Sequence, residues 1–95
     1  MIDVFCRDHA GRWELSIIGH AGYDDSGRDI VCAAASALTY ALAEYCDTEY
    51  ERLAAGETKL VITKTERNRY ALEMACTGYR QLAEAYPDHV RYTPS

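Results

Sequence analysis

The chain reads as an α+β domain: a single sheet of about four to five strands with two helices packed on one face. Three observations predict this. Short runs of alternating apolar and polar residues stand near the start, in the middle and at the end of the chain. Two longer stretches repeat apolar residues at three- and four-residue steps, and Gly or Pro marks the breaks. Ninety-five residues with 48% hydrophobic content suffice for one core, so residues 1–95 are expected to form one domain.

The elements follow in order. Ile2 to Arg7 alternates with Ile2, Val4 and Cys6 on one face, and Trp13 to Ile18 alternates with Trp13, Leu15 and Ile17 together. Asp8 to Gly11 between them has the composition of a hairpin turn. A helix begins at Asp29, a good N-cap, with Ile30, Ala33, Ala34, Ala37, Leu38, Ala41, Leu42 and Tyr45 as its expected core stripe. Glu49 to Leu53 and Lys59 to Thr65 read as strands around a loop containing Gly56. Asn68 to Tyr86 reads as the second helix, with Ala71, Met74, Ala75, Gly78, Leu82 and Tyr86 inward and Pro87 as its stop. His89 to Thr93 is a short last strand.

Chemistry concentrates between the second strand and the first helix. Gly19-His20-Ala21 ends the strand, and Cys32 falls in the first helical turn after Asp29. A thiolate is the attacking form of cysteine, and a helix N-terminus with a neighbouring imidazolium favours it. Gly19 can adopt torsions closed to other residues and so redirect His20, whose strand parity otherwise points it away from Trp13. Asp29 can cap the helix, orient the imidazole, or divide its two oxygens between those tasks. Ser36 lies one turn beyond Cys32 and can bond substrate or the Cys32 carbonyl. The backbone N–H of Cys32 or its helix-start neighbours is the natural oxyanion donor. Residues 21–28, rich in Gly and polar side chains, are expected to form a mobile loop. His9 and His89 read as solvated, and Trp13, Tyr23, Tyr40 and Tyr45 are pocket walls or core.

Composition narrows the function class. A formal charge of −5, from 15 acidic and 10 basic side chains, opposes direct nucleic-acid binding and suits a basic protein partner. No apolar run reaches membrane-spanning length and no secretory signal opens the chain, so a cytoplasmic protein without membrane contact is expected. The four cysteines, at 6, 32, 46 and 76, show neither Cys-x-x-Cys nor zinc-ligand spacing, so neither a metal nor another cofactor is expected. Cys6, Cys46 and Cys76 are most simply small buried hydrophobes.

Gly-His-Ala, a loop, Gly27-x-Asp29-x-Val31-Cys32-Ala33 and Ser36 together resemble the signature of the ribosomal-processing cysteine proteases, the Prp family. The resemblance implies a homodimeric cysteine endopeptidase that removes an N-terminal extension from a large-subunit ribosomal protein. It implies His20 and Cys32 as the catalytic pair, with Gly19, Asp29 and Ser36 in support. Two other classes compete: a non-catalytic ribosome-associated binding module, and a thiol redox sensor in which Cys32 pairs with Cys6, Cys46 or Cys76.

Overall fold

A computed structural model describes residues 1–25 and 27–94. The chain runs β1 (Ile2–His9), β2 (Arg12–Ile18), α1 (Ile30–Tyr45), β3 (Thr48–Ala54), β4 (Glu57–Thr63), α2 (Glu66–Ala85) and β5 (Val90–Thr93). The five strands form one mixed sheet in the order β3-β4-β2-β1-β5, giving the α+β fold that the patterning predicts. Neighbours are antiparallel except β1 and β5, which run parallel because α2 carries the chain from one side of the sheet to the other. β1, β2 and β3 are one or two residues longer than alternation indicates, β4 keeps the expected length but lies two residues earlier because Thr65 caps α2, and β5 starts a residue later.

Register explains the core. Val4 lies opposite Ile17, and Leu15 opposite both Cys6 and Leu60, so the apolar members of β1, β2 and β4 share one face. Against it pack Val31, Ala35 and Leu42 of α1 and Leu72, Ala75 and Tyr79 of α2, in one continuous cluster. Strand β3 is the edge: its side chains are exposed except for half-buried Thr48, and a register shift falls between Thr48 and Tyr50. The β1–β2 connection is a tight two-residue turn with Ala10 and Gly11 both at positive φ.

The core faces of both helices differ from the expected stripes. In α1 the buried residues are Val31, Ala35, Thr39, Leu42 and Ala43, whereas Ile30, Ala33, Ala37, Ala41 and Tyr45 are exposed. Alanine on nearly every side of this helix leaves periodicity undecided, and a buried polar contact selects the face. Thr39 Oγ1 donates to the Ala35 carbonyl and sits 2.7 Å from Tyr79 Oη. A hydroxyl has one proton, so the Tyr79 hydroxyl is the donor to Thr39. In α2 the buried set is Asn68, Leu72, Ala75 and Tyr79, while Met74 is 72% exposed. Gly78 lets the helices approach: a Cβ there would stand 2.7 Å from Leu38 Cδ1. Tyr79→Phe, which deletes one buried hydroxyl, is expected to destabilise the fold by about 1 kcal/mol in urea unfolding.

The shifted face of α1 has a consequence for the thiol. Cys32 and Ser36 each follow a buried residue, Val31 and Ala35, by one position, so both stand at the rim of the core.

Candidate active site

Asp29 builds the helix mouth. Its backbone is extended, and its Oδ1 accepts the Cys32 N–H at 2.9 Å, which starts α1 and places the thiol in the first turn. Its Oδ2 accepts the N–H groups of Tyr23 and Asp24, at 3.0 and 3.4 Å. The two oxygens are therefore divided, but between helix and loop rather than between helix and imidazole. The Cys32 amide, expected among the oxyanion donors, is already committed to this cap, and the Ala33 amide bonds the Asp29 carbonyl. The N–H donors, that of Cys32 foremost, hold the Asp29 carboxyl below its ordinary value of 3.8.

Gly19 redirects His20. Its φ of +98° turns the chain as β2 ends, so His20 leaves strand parity and faces the helix side. A Cβ at Gly19 would lie 2.3 Å from the Met1 carbonyl oxygen. The Gly19 N–H donates to the Gly56 carbonyl at 2.8 Å, and the Met1 nitrogen donates to the His20 carbonyl at 2.6 Å. The backbone on both sides of the imidazole is thus tied down.

His20 and Cys32 line the same two cavities. One, of about 270 Å³, is also bounded by Ser36, Thr39, Tyr40 and the β3–β4 turn at Gly56. The other, of about 610 Å³, is bounded by Ser36, Gly22, Asp24 and Asp29. Cys32 is half-buried and His20 and Ser36 are exposed. No hydrogen bond joins the His20 ring to the thiol among the described residues, nor does the Ser36 hydroxyl bond the Cys32 carbonyl. Of the four aromatic candidates only Tyr40 lines the cavity with Cys32 and His20; Trp13 packs on the core and Tyr45 stacks under Arg67 at 4.1 Å.

The sequence alone does not place Gly56 or His89 at this site. Gly56, read only as a turn former at φ +76°, abuts the imidazole: a Cβ would stand 2.9 Å from His20 Nε2. A glycine at a hairpin tip was the available signal, since it also permits close approach of another group. Tyr23 packs edge-on against Tyr86 and His89, at 5.4 and 5.3 Å between centroids. His89, expected to be solvated, is half-buried, and its Nδ1 lies 2.9 Å from the Ala21 carbonyl. These contacts anchor the first half of the connecting loop, in which Ala21 is 2% exposed. Its Ser26 lies outside the described residues.

The remaining thiols stand apart from this site. Cys6 and Cys76 perturb one another, the Cys6 thiol pushed up beside Cys76 and the Cys76 thiol lowered to about 7 beside Cys6. Cys46 is buried, which pushes its thiol up. All four cysteines are free. Among the described residues no group of three or more His, Cys, Asp or Glu could hold a metal ion, and no helix is long and apolar enough to cross a membrane.

A thiol at a helix mouth opening into the same cavity as an imidazole has the parts of a cysteine protease, and comparison with known proteins gives that class. The family model described as Cysteine protease Prp matches residues 1–91, and the chain belongs to the Prp family of cysteine proteases. Its fold is similar to that of the essential ribosomal processing protease Prp from S. aureus with a covalently linked product peptide. There the TM-score is 0.83 at 21% identity, over 100% of both chains. The same S. aureus protease with a substrate peptide gives 0.73, also at 21% identity and full coverage of both chains. SMU.848 from Streptococcus mutans gives 0.77 at 25% identity, over 99% of this chain and 93% of that one. No curated protein matches the chain in sequence.

Proposed function

We propose that this cysteine protease cuts its substrate with a Cys32 thiolate and a His20 imidazolium, and that the substrate is the N-terminal extension of a large-subunit ribosomal protein. The observation that carries the pair is their shared occupancy of two cavities at the mouth of α1. Cys32 Sγ attacks the scissile carbonyl, and His20 passes its proton to the leaving amine. Water, deprotonated by the now neutral imidazole, then cleaves the thioester and frees Cys32. With the Cys32 amide held by Asp29, the exposed Ser36 hydroxyl one turn on is the side-chain donor for the oxyanion. Asp29 supports the pair by fixing the helix start and the loop, and Gly19 by aiming the ring.

The substrate reading is supported by the signature and by the likeness to the ribosomal processing protease of S. aureus, and the acidic balance of the chain suits a basic ribosomal protein. A homodimer belongs to the same reading, carried by the family resemblance and not by a contact within the chain; the acidic balance supports a partner that is not nucleic acid, and a cytoplasmic location is part of the proposal.

The test is incubation under reducing conditions with a peptide spanning such an extension, with products identified by mass. Cleavage at one bond, lost in Cys32→Ala and His20→Ala, is expected. An uncut peptide, with the dimer verified by sedimentation, would favour the ribosome-associated binding module.

Asp29 gives a separate prediction. Asp29→Ala should lower both the unfolding midpoint and cleavage, and Asp29→Asn should recover the helix cap but not the loop tie. Because its carboxyl is held below the ordinary value, its contribution is complete above about pH 4 and is lost as pH falls through the folded value. Wild type and Asp29→Asn should therefore differ at neutral pH and converge in acid, as read by thermal unfolding at a series of pH values.

A further inference from the structure

The proposed mechanism uses His20 and leaves His89 without a task, yet His89 is bound to the residue that follows His20. We infer that His89 is a positioning residue: donating from Nδ1 to the Ala21 carbonyl, it holds the chain beyond His20 so that the imidazole faces Cys32. This rests on the dyad reading above.

The platform that presents His89 is rigid. Its N–H donates to the Tyr86 carbonyl at 2.9 Å, where α2 ends, and its carbonyl accepts the Ile2 N–H at 2.8 Å, where β1 begins. The ring therefore projects from the junction of a helix and a strand. Its Nδ1 lies 2.9 Å from the Ala21 carbonyl, which can only accept, so the ring carries its proton on Nδ1. Beside this bond the Tyr23 ring stands edge-on to both His89 and Tyr86. From the opposite side Asp29 Oδ2 takes the Tyr23 N–H.

Residues 21 to 23 are thus clamped between the α2–β5 junction and the helix mouth that carries the nucleophile. His20 enters this clamp already fixed at Gly19 and at its own carbonyl. The Ala21 bond adds a second restraint on its C-terminal side, one peptide beyond the Met1 bond to the His20 carbonyl. Without it the peptide joining residues 21 and 22 loses its hydrogen bond to the α2–β5 junction, so the segment that follows His20 can shift and carry the imidazole with it. Misplacement of a catalytic group by about 1 Å costs on the order of a hundredfold in rate. His89 is half-buried and its partner Ala21 belongs to the core cluster, so unfolding midpoints are read beside the rates to separate positioning from stability.

The test compares His89→Ala, His89→Asn and His89→Gln with wild type and His20→Ala, on a peptide that wild type cleaves. An Asn amide places an N–H where Nδ1–H stood, and a Gln amide reaches only the Nε2 position. His89→Ala and His89→Gln are expected to lose about ten- to a hundredfold in kcat with KM changed less than about threefold. His89→Asn should return to within about threefold of wild-type kcat, with urea midpoints alike for Asn and Gln. Should His89→Ala fail to fold, the Asn and Gln pair carries the same comparison. Wild-type kcat in His89→Gln, or Asn no better than Gln, overturns the inference while loss of activity in His20→Ala leaves the dyad standing. Wild-type activity in His20→Ala overturns both.

Discussion

Cys32→Ala is expected to bring peptide cleavage down to background, a loss of at least about 10⁴-fold, and His20→Ala to lower it by about 10²- to 10⁴-fold. The asymmetry follows from the chemistry. Without sulfur there is no acyl-enzyme, and whatever the cavity, Asp29 and Ser36 contribute has nothing to act upon. Without the imidazole the thiol remains and can still attack, but the leaving amine departs unprotonated. His20 is exposed, and Cys32→Ala removes only one partly buried sulfur at the edge of the core cluster, so unfolding midpoints should move little. Two members of one proton-sharing unit also act non-additively, and the double variant should be little worse than Cys32→Ala alone. A pH–rate profile should rise and fall with two limbs that belong to the pair. Full activity in either single variant would falsify the dyad.

Gly19→Ala is expected to damage both stability and catalysis. At φ +98° an alanine is strained whatever its surroundings, and here its Cβ would meet the Met1 carbonyl oxygen at 2.3 Å. That obstacle is backbone at the start of β1, not the free end of a side chain, so relief requires β1 or the turn after β2 to move. The combined cost is about 1–3 kcal/mol of stability, measured by urea unfolding. Since the next residue is His20, the displacement passes directly to the imidazole, and kcat/KM should fall at least about tenfold. Gly11→Ala is the control. Gly11 shares the positive φ but has open space around it and sits in the far β1–β2 turn, so that variant should keep its cleavage rate. Equal loss in both would show that backbone strain alone, and not the aim of His20, explains the effect.

Much of the architecture was legible because alternation and capping act locally. The inward sets Ile2/Val4, Leu15/Ile17 and Leu60/Ile62 are read directly from two-residue periodicity, and their register on one face follows. Asp29 announces the start of α1 by its chemistry, and the structure uses its side chain as a cap. The faces of the helices were less legible. In an alanine-rich α1 several stripes satisfy a three- and four-residue repeat, and the choice fell to Thr39 and Tyr79, whose hydrogen bond joins residues 40 positions apart. Met74 reads as core yet lies 72% exposed, because α2 turns Leu72, Ala75 and Tyr79 inward instead.

The site divides the same way. The amino-acid order alone set which groups were available, a thiol three residues into a capped helix and an imidazole just after a glycine, because capping and backbone torsion are decided within a few residues. Tertiary packing decided where those groups point and what surrounds them. Gly56 abuts His20, His89 holds Ala21, and Asp29 spends both oxygens on backbone amides. Each such contact joins segments distant in the chain or depends on a loop path, and no local pattern specifies a bond whose partner is brought in only when the sheet and helices close around one core.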